Sequence, residues 1–275
     1  MSNNILIAEQ EECDVALVNG AKAFQYKDSD GNIQTVDLTS ITNATSLFEN
    51  NQNIGVDWEI DLSLLTSAGN MFKGSNIKSF KSDCSALLLG ANMFNNCKEL
   101  EHVEMLTNPT AKGQMNLGYF FKDCSSLKTV NLKRPNISNK NTLMLNISGF
   151  FENCTSLESV TVELGSHTSA NFLNPSLKDM FKNCKSLKTI NLSLTPIVKT
   201  TPDATGMFSG CLLGPEQLQQ IVNWRWTNDG TYTITNNITI GVDSTKVSQE
   251  DIDNYWHSAI LNKGFKATWE FNTPE

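Results

Sequence analysis

Phe120-Phe121-Lys122-Asp123-Cys124-Ser125-Ser126-Leu127-Lys128-Thr129-Val130-Asn131-Leu132 decides the fold, because the chain repeats it. Met93-Phe94-Asn95-Asn96-Cys97 leads in the same way to Leu100, Val103 and Met105. Phe150-Phe151-Glu152-Asn153-Cys154 leads to Leu157, Val160 and Val162. Met180-Phe181-Lys182-Asn183-Cys184 leads to Leu187, Ile190 and Leu192. The common pattern is [Met/Phe]-Phe-x-x-Cys-x-x-Leu-x-x-[Val/Ile]-x-[Leu/Val/Met]. Self-similarity of this length is the signature of stacked structural repeats.

Weaker copies flank these four. Leu47-Phe48-Glu49-Asn50-Asn51 leads to Ile54, and Met71-Phe72-Lys73-Gly74-Ser75 leads to Ile77 and Phe80. Met207-Phe208-Ser209-Gly210-Cys211 starts correctly and diverges at Leu212. The Phe anchors at 48, 72, 94, 121, 151, 181 and 208 are spaced 24, 22, 27, 30, 30 and 27 residues apart. Each Leu-x-x-Val-x-Leu reads as a turn entering a short strand whose apolar side chains share one face. One such strand cannot bury that face alone. Stacking the copies pairs the strands in parallel and lines up like side chains into a common core. Length differences are then expected in far-side loops, at 134–146 and 165–175.

These segments resemble the BspA-type leucine-rich repeat, in which Met-Phe-x-x-Cys-x-x-Leu recurs before a strand. The resemblance covers about residues 44–213. It implies an α/β repeat solenoid, a curved stack of parallel strands with those strands on the concave face. It also implies a non-catalytic binding module. Many members are bacterial surface adhesins, and similar repeats occur in phage structural proteins.

The expected organisation is an N-terminal cap at 1–43, a solenoid of about seven repeats at 44–213 and a C-terminal α+β cap at 214–275. Terminal caps are expected because an open solenoid end exposes core. Residues 23–27 and 33–38 alternate at period two around Asp28-Ser29-Asp30-Gly31-Asn32, a hairpin signal. The same turn is a poor calcium loop, lacking Gly at loop position six and Glu at twelve. Pro215 and Glu216 open a helix. Residues 232–242 read as a strand. Ser248 to Asp251 approximates a capping box for a helix to about Asn262, closed by Gly264. Residues 265–271 read as a last strand. The stretch 259–269 resembles the ending of phage-borne members.

Composition narrows the function classes. The chain of 275 residues carries 21 Lys plus Arg against 29 Asp plus Glu, a net charge of −8. No basic block suited to phosphate is present, so nucleic acid is not the expected partner. No apolar run approaches the roughly 18–20 residues needed to span a bilayer, so no membrane insertion is expected. The start, Met1 to Gln10, lacks a basic n-region and an apolar core and does not read as a secretory signal. With the phage-like ending, that favours a virion component for attachment or assembly, located in the particle or in the cytoplasm of an infected bacterium. A cell-surface adhesin is the alternative. A protein partner is expected, and a homo-oligomer is compatible with the pattern.

No catalytic residues, cofactor or metal are expected. Five of the seven Cys occupy one repeat position and none forms a Cys-x-x-Cys pair, which reads as small buried residues in a tight turn. His102, His167 and His257 sit in no triad-like setting, and glycine-rich phosphate loops are absent. If Val and Leu face inward, the outward strand positions form the candidate binding face: His102, Glu104, Thr129, Asn131, Lys133, Ser159, Thr161, Glu163, Thr189 and Asn191. Ser79, Lys81, Leu106 and Ser193 extend it. It is polar, of mixed charge and free of the aromatics that sugar sites place against ring faces. Trp224, Trp226 and Trp256 are the candidate assembly surface, since Trp is enriched at interface hot spots.

Overall fold

Two backbone positions in every repeat take the left-handed conformation, and they shape the fold. They lie two residues before and two residues after each anchor Phe. The first column is Ser46, Asn70, Asn92, Tyr119, Gly149, Asp179 and Gly206; the second is Asn50, Gly74, Asn96, Asp123, Asn153, Asn183 and Gly210. The second column holds only Asn, Asp and Gly, the residues that enter this region at least cost. Two reversals around each Phe turn the chain tightly and hold the ring inward.

The computed structural model describes residues 23–27, 33–52, 54, 57–106, 113–133, 143–166, 173–195, 203–223 and 236–274. Strands β1 (Ala23–Lys27) and β2 (Ile33–Asp37) form an antiparallel hairpin, as the alternation predicts; its turn at 28–32 lies outside the described residues. The main sheet has six parallel strands in the order β11-β9-β7-β5-β4-β3. They are β3 (Asp57–Asp61), β4 (Ser79–Asp83), β5 (His102–Leu106), β7 (Thr129–Lys133), β9 (Ser159–Ser166) and β11 (Thr189–Thr195). A second parallel ladder runs across the molecule through β6 (Gly113–Asn116), β8 (Leu143–Asn146) and β10 (Leu173–Ser176). Single bridges continue it, from Asn43 through Ser67 and Leu89 to Asn116 at one end and from Ser176 to Asp203 at the other.

This ladder corrects one expectation. The spans 134–146 and 165–175 are not simply far-side loops: β8 and β10 lie within them, and β9 runs on to Ser166. Extra residues between successive strands lengthen the sheets before they form loops, because every added backbone group gains a partner in the neighbouring coil.

Between the two ladders lies one continuous core. The seven anchor rings, from Phe48 to Phe208, form an unbroken stack with centroids 5.2–5.5 Å apart and planes within 15° of parallel. Phe120 and Phe150 form a shorter parallel stack at 5.3 Å and cross the main column edge-on. Trp58 and Phe80 meet the column edge-on from β3 and β4. Such aromatic pairs add about 0.5–1.5 kcal/mol beyond the area they bury.

The cysteine position is explained by one acceptor. Each anchor carbonyl accepts the backbone N–H three residues on, in its own turn, and has a second lone pair facing the next coil. Phe94 O accepts Cys97 N at 3.1 Å and Cys124 Sγ at 2.9 Å. The same thiol-to-carbonyl bond joins Cys97 to Phe72, Cys154 to Phe121, Cys184 to Phe151 and Cys211 to Phe181, at 2.9–3.1 Å. In these five repeats the small thiol side chain supplies that donor. Ser75 and Asn51 fill the position in the two N-terminal repeats, both buried.

At the C-terminal end the repeat pattern gives way to a different arrangement of strands and helices. Strand β12 (Ala204–Leu213) carries the last anchor turn and pairs with β13 (Asn236–Asp243), which pairs with β14 (Phe265–Asn272), all parallel. Gly241 is required where β12 crosses β13, since a Cβ there would lie 2.7 Å from Phe208 O. Helix α1 (Pro215–Val222) begins at Pro215, as predicted. A second helix begins as α2 (Gln249–Asp251), passes through a π-helical turn at Ile252–Trp256 and ends as α3 (His257–Leu261). Ser248 caps it and Asp251 bonds back to Ser248 N. Gly264, with φ of 89°, closes it.

Candidate functional site

Register across the six-stranded sheet converts the alternation of each strand into three rows on its outer face. The first row is Asp57, Ser79, His102, Thr129, Ser159 and Thr189. The second is Glu59, Lys81, Glu104, Asn131, Thr161 and Asn191. The third is Asp61, Asp83, Leu106, Lys133, Glu163 and Ser193. No register slip interrupts β3 through β9, so residues from different repeats stand directly opposite one another.

The inward partners confirm which side is which. Val103, Met105, Val130, Leu132, Val160, Val162, Ile190 and Leu192 are all buried. On the outer side His102, Glu104, Thr129, Lys133 and Asn191 are exposed, while Asn131, Ser159, Thr161 and Thr189 are half-buried. The side chain of Glu163 lies outside what is described; its backbone pairs with Lys133. The structure thus brings the predicted face together on neighbouring strands.

It also adds residues the sequence reading did not pick out. Asp57, Glu59 and Asp61 come from β3, and Asp83 from β4. Asp57-Trp58-Glu59-Ile60-Asp61 carries a period-two alternation that could have flagged the strand.

Contacts across the face differ from end to end. Ser79 Oγ donates to Asp57 Oδ1 at 2.6 Å, and Lys81 Nζ lies 2.8 Å from Glu59 Oε1. The bond to the Glu59 carboxylate holds the Lys81 ammonium above its ordinary pKa. His102 Nδ1 and Thr129 Oγ1 are 2.7 Å apart. Just behind the strand starts, Lys128 Nζ bonds Glu101 Oε2, and that ammonium pulls the Glu101 carboxyl below the usual range. The β3–β5 end is acidic, with Lys81 among Asp57, Glu59, Asp61, Asp83 and Glu104. From β7 onward the described side chains are Thr, Ser, Asn and Lys. In the middle, Asn131 Oδ1 is covered and accepts no hydrogen bond.

The remaining predicted positions are placed as follows. Trp256 is half-buried and packs against the core; Trp224 and Trp226 lie outside the described residues. Cys84, Cys97, Cys124, Cys154, Cys184 and Cys211 are free and buried. Burial pushes the Cys84 thiol up to about 12 and raises Cys124, Cys154, Cys184 and Cys211 above the usual thiol range. These groups are kept protonated, as hydrogen-bond donors rather than nucleophiles. Among the described residues no group of three or more His, Cys, Asp or Glu side chains is placed to hold a metal ion. Among them, too, no helix is long and apolar enough to cross a membrane.

The stacked turns, parallel ladders and thiol column are matched by one family description, the BspA type leucine-rich repeat region, in six copies over residues 20–142 and 69–214. The chain belongs to this family. Members are typically non-catalytic and generally bind proteins through repeated surfaces. In this leucine-rich repeat protein the match reaches back to residue 20 and so takes in the β1–β2 hairpin. Neither a curated protein nor a solved structure matches the chain.

Proposed function

We propose that this leucine-rich repeat protein is a non-catalytic module that receives a protein partner on the outer face of its six-stranded sheet. The observation that carries this reading is the register-locked outer face, which sets exposed and half-buried polar side chains from six strands directly opposite one another. Thr129, Thr161 and Lys133 surround Asn131 on adjacent rows and strands, so an incoming chain meets closely spaced donors and acceptors. No Trp, Tyr or Phe projects from the described positions of this face, which leaves nothing to stack on a sugar ring.

The setting we propose is a bacteriophage particle, with the protein as a tail, fibre or capsid-associated component in attachment or assembly. The resemblance of residues 259–269 to the ending of phage-borne members supports it. Peptide mass spectrometry of purified virions tests it: stoichiometric recovery supports the reading, and absence from particles removes it. Exposure of the protein on intact, uninfected cells would favour a surface adhesin instead.

The face itself is tested by site-specific photo-crosslinking. A crosslinker at Thr161 should capture one defined partner, and one at exposed Lys178 on the opposite ladder should not. Asn131→Arg should weaken binding of that purified partner at least tenfold with an unchanged melting temperature. Equal capture from both positions, or unchanged affinity, would overturn the assignment.

A further inference from the structure

Among the described residues, nothing closes over the C-terminal end of the core. Register through the terminal sheet extends the Phe column from Phe208 to Ile240 and then to Trp269. A parallel column runs from Leu213 through Val242 to Phe271. No described residue continues these columns beyond their last members: Trp269 is half-buried and Phe271 is 43% exposed. Strand β14 is the edge of its sheet, with no strand on its outer side among the described residues. Natural edge strands are normally blunted or covered, because their free N–H and C=O groups template further pairing.

The sequence of this edge is complementary to itself. Phe265-Lys266-Ala267-Thr268-Trp269-Glu270-Phe271 read against a reversed copy pairs Lys266 with Glu270, Ala267 with Trp269, Phe265 with Phe271, and Thr268 with itself. Antiparallel strands place such residues directly opposite one another, where opposite charges and large–small apolar pairs are favourable. Lys266 and Thr268 are exposed, and Lys266 makes no ion pair among the described residues. Glu270 already accepts from Ser209 Oγ at 3.0 Å and Gly210 N at 2.9 Å on β12, so its carboxylate leans across the sheet on the face Lys266 shares. A carboxylate has further lone pairs to receive an ammonium.

We propose that β14 is a self-association surface: two copies of this chain join through antiparallel β14 strands about a two-fold axis at Thr268. The axis makes a six-stranded terminal sheet from two three-stranded ones. It brings the Trp269 ring of each copy beside Ala267 of the other, and the Lys266 and Glu270 side chains pair twice. A two-fold arrangement is also closed, so association stops at the dimer.

Sedimentation equilibrium of the full chain tests the proposal. A dimer, twice the 30.4 kDa chain mass, is expected. Thr268→Lys and Thr268→Glu each place like charges at the axis and should weaken the dimer at least tenfold. Mixing the two variants should restore a heterodimer, which only this register predicts. Amide exchange in residues 265–272 should also slow as wild-type concentration rises, a readout independent of the variants. A wild-type chain monomeric up to about 100 µM would overturn the proposal. So would a dimer untouched by both Thr268 substitutions, or a mixture of the two that stays monomeric.

Discussion

At Cys154 a thiol does what a backbone amide does elsewhere in the stack. Its Sγ donates to Phe121 O at 3.0 Å, from a position with no exposed surface. Cys154→Ala should therefore cost about 1–3 kcal/mol, combining a small cavity with a half-satisfied carbonyl. Cys154→Ser keeps a donor at the position and should cost less; Ser75 occupies the same position three turns nearer the N-terminus. Urea titration of the two variants checks the order. The thiol column also sets an alkaline limit. Because burial raises these pKa values, the folded chain keeps protons that the unfolded chain loses above about pH 8.5. Stability is full below that pH. Above it, each of the raised thiols Cys84, Cys124, Cys154, Cys184 and Cys211 removes about 1.4 kcal/mol per pH unit until its own folded-state value is reached. Melting temperature against pH should fall beyond pH 8.5, and replacing Cys154 and Cys184 with Ser should flatten the fall.

Asn153 carries two duties at the same scale. Its φ is 64°, and its amide donates to Asp123 Oδ1 at 2.7 Å while accepting from Asn183 Nδ2 at 2.8 Å. Asn153→Gly keeps the backbone conformation and loses only the side-chain ladder, about 1–2 kcal/mol. Asn153→Val adds the left-handed penalty of a β-branched residue and should cost about 1–2 kcal/mol more. Equal losses in the two variants would show that the turn, rather than the residue, sets its own conformation.

At the scale of elements, helix α1 closes the free edge of β11 by imitation. Inside the sheet the strand-entry carbonyls of Glu101, Lys128 and Glu158 each accept two backbone N–H groups from the next coil; Glu158 O accepts from Lys188 N and Thr189 N. Lys188 O has no such coil after it. It accepts from Gln217 Nε2 at 2.9 Å and Gln220 Nε2 at 3.3 Å, and Ile190 N donates to Gln220 Oε1 at 2.6 Å. Gln217→Ala with Gln220→Ala should leave that edge unpaired. Hydrogen exchange should then speed up in β11 while β5 stays protected. The anchor stack is the second element. Phe151 lies between Phe121 and Phe181 at 5.5 and 5.2 Å, so Phe151→Ala should cost about 3–5 kcal/mol in a chemical denaturation experiment.

Over the whole molecule, every coil contacts mainly its neighbours, which makes stability close to a sum of nearest-neighbour terms. Amide protection should be highest around Phe121 and Phe151 and decline toward both ends, with the Gln-capped edge of β11 protected above its distance from the centre. Uniform protection from Ala44 to Leu192 would instead mean one indivisible unit.

The amino-acid sequence by itself determined the stacking. Four copies of Phe-x-x-Cys-x-x-Leu with their strands made the parallel sheet, the inward Val and Leu and the outward face readable, because periodicity is local and each copy repeats it. Helix α1, the Ser248 cap and β14 were legible for the same reason. The equivalence of Phe48 and Phe72 to the other anchors was readable in spite of Asn51 and Ser75, since the turn depends on the left-handed residues rather than on the thiol. Tertiary structure alone decided the rest. The second ladder of β6, β8 and β10, the register that sets Asn131 between Glu104 and Thr161, the glutamine clasp on Lys188 and the open edge of β14 all join residues about twenty to sixty positions apart. Such contacts form only once neighbouring coils lie 5 Å or so apart, and no local pattern records which carbonyl will face which donor.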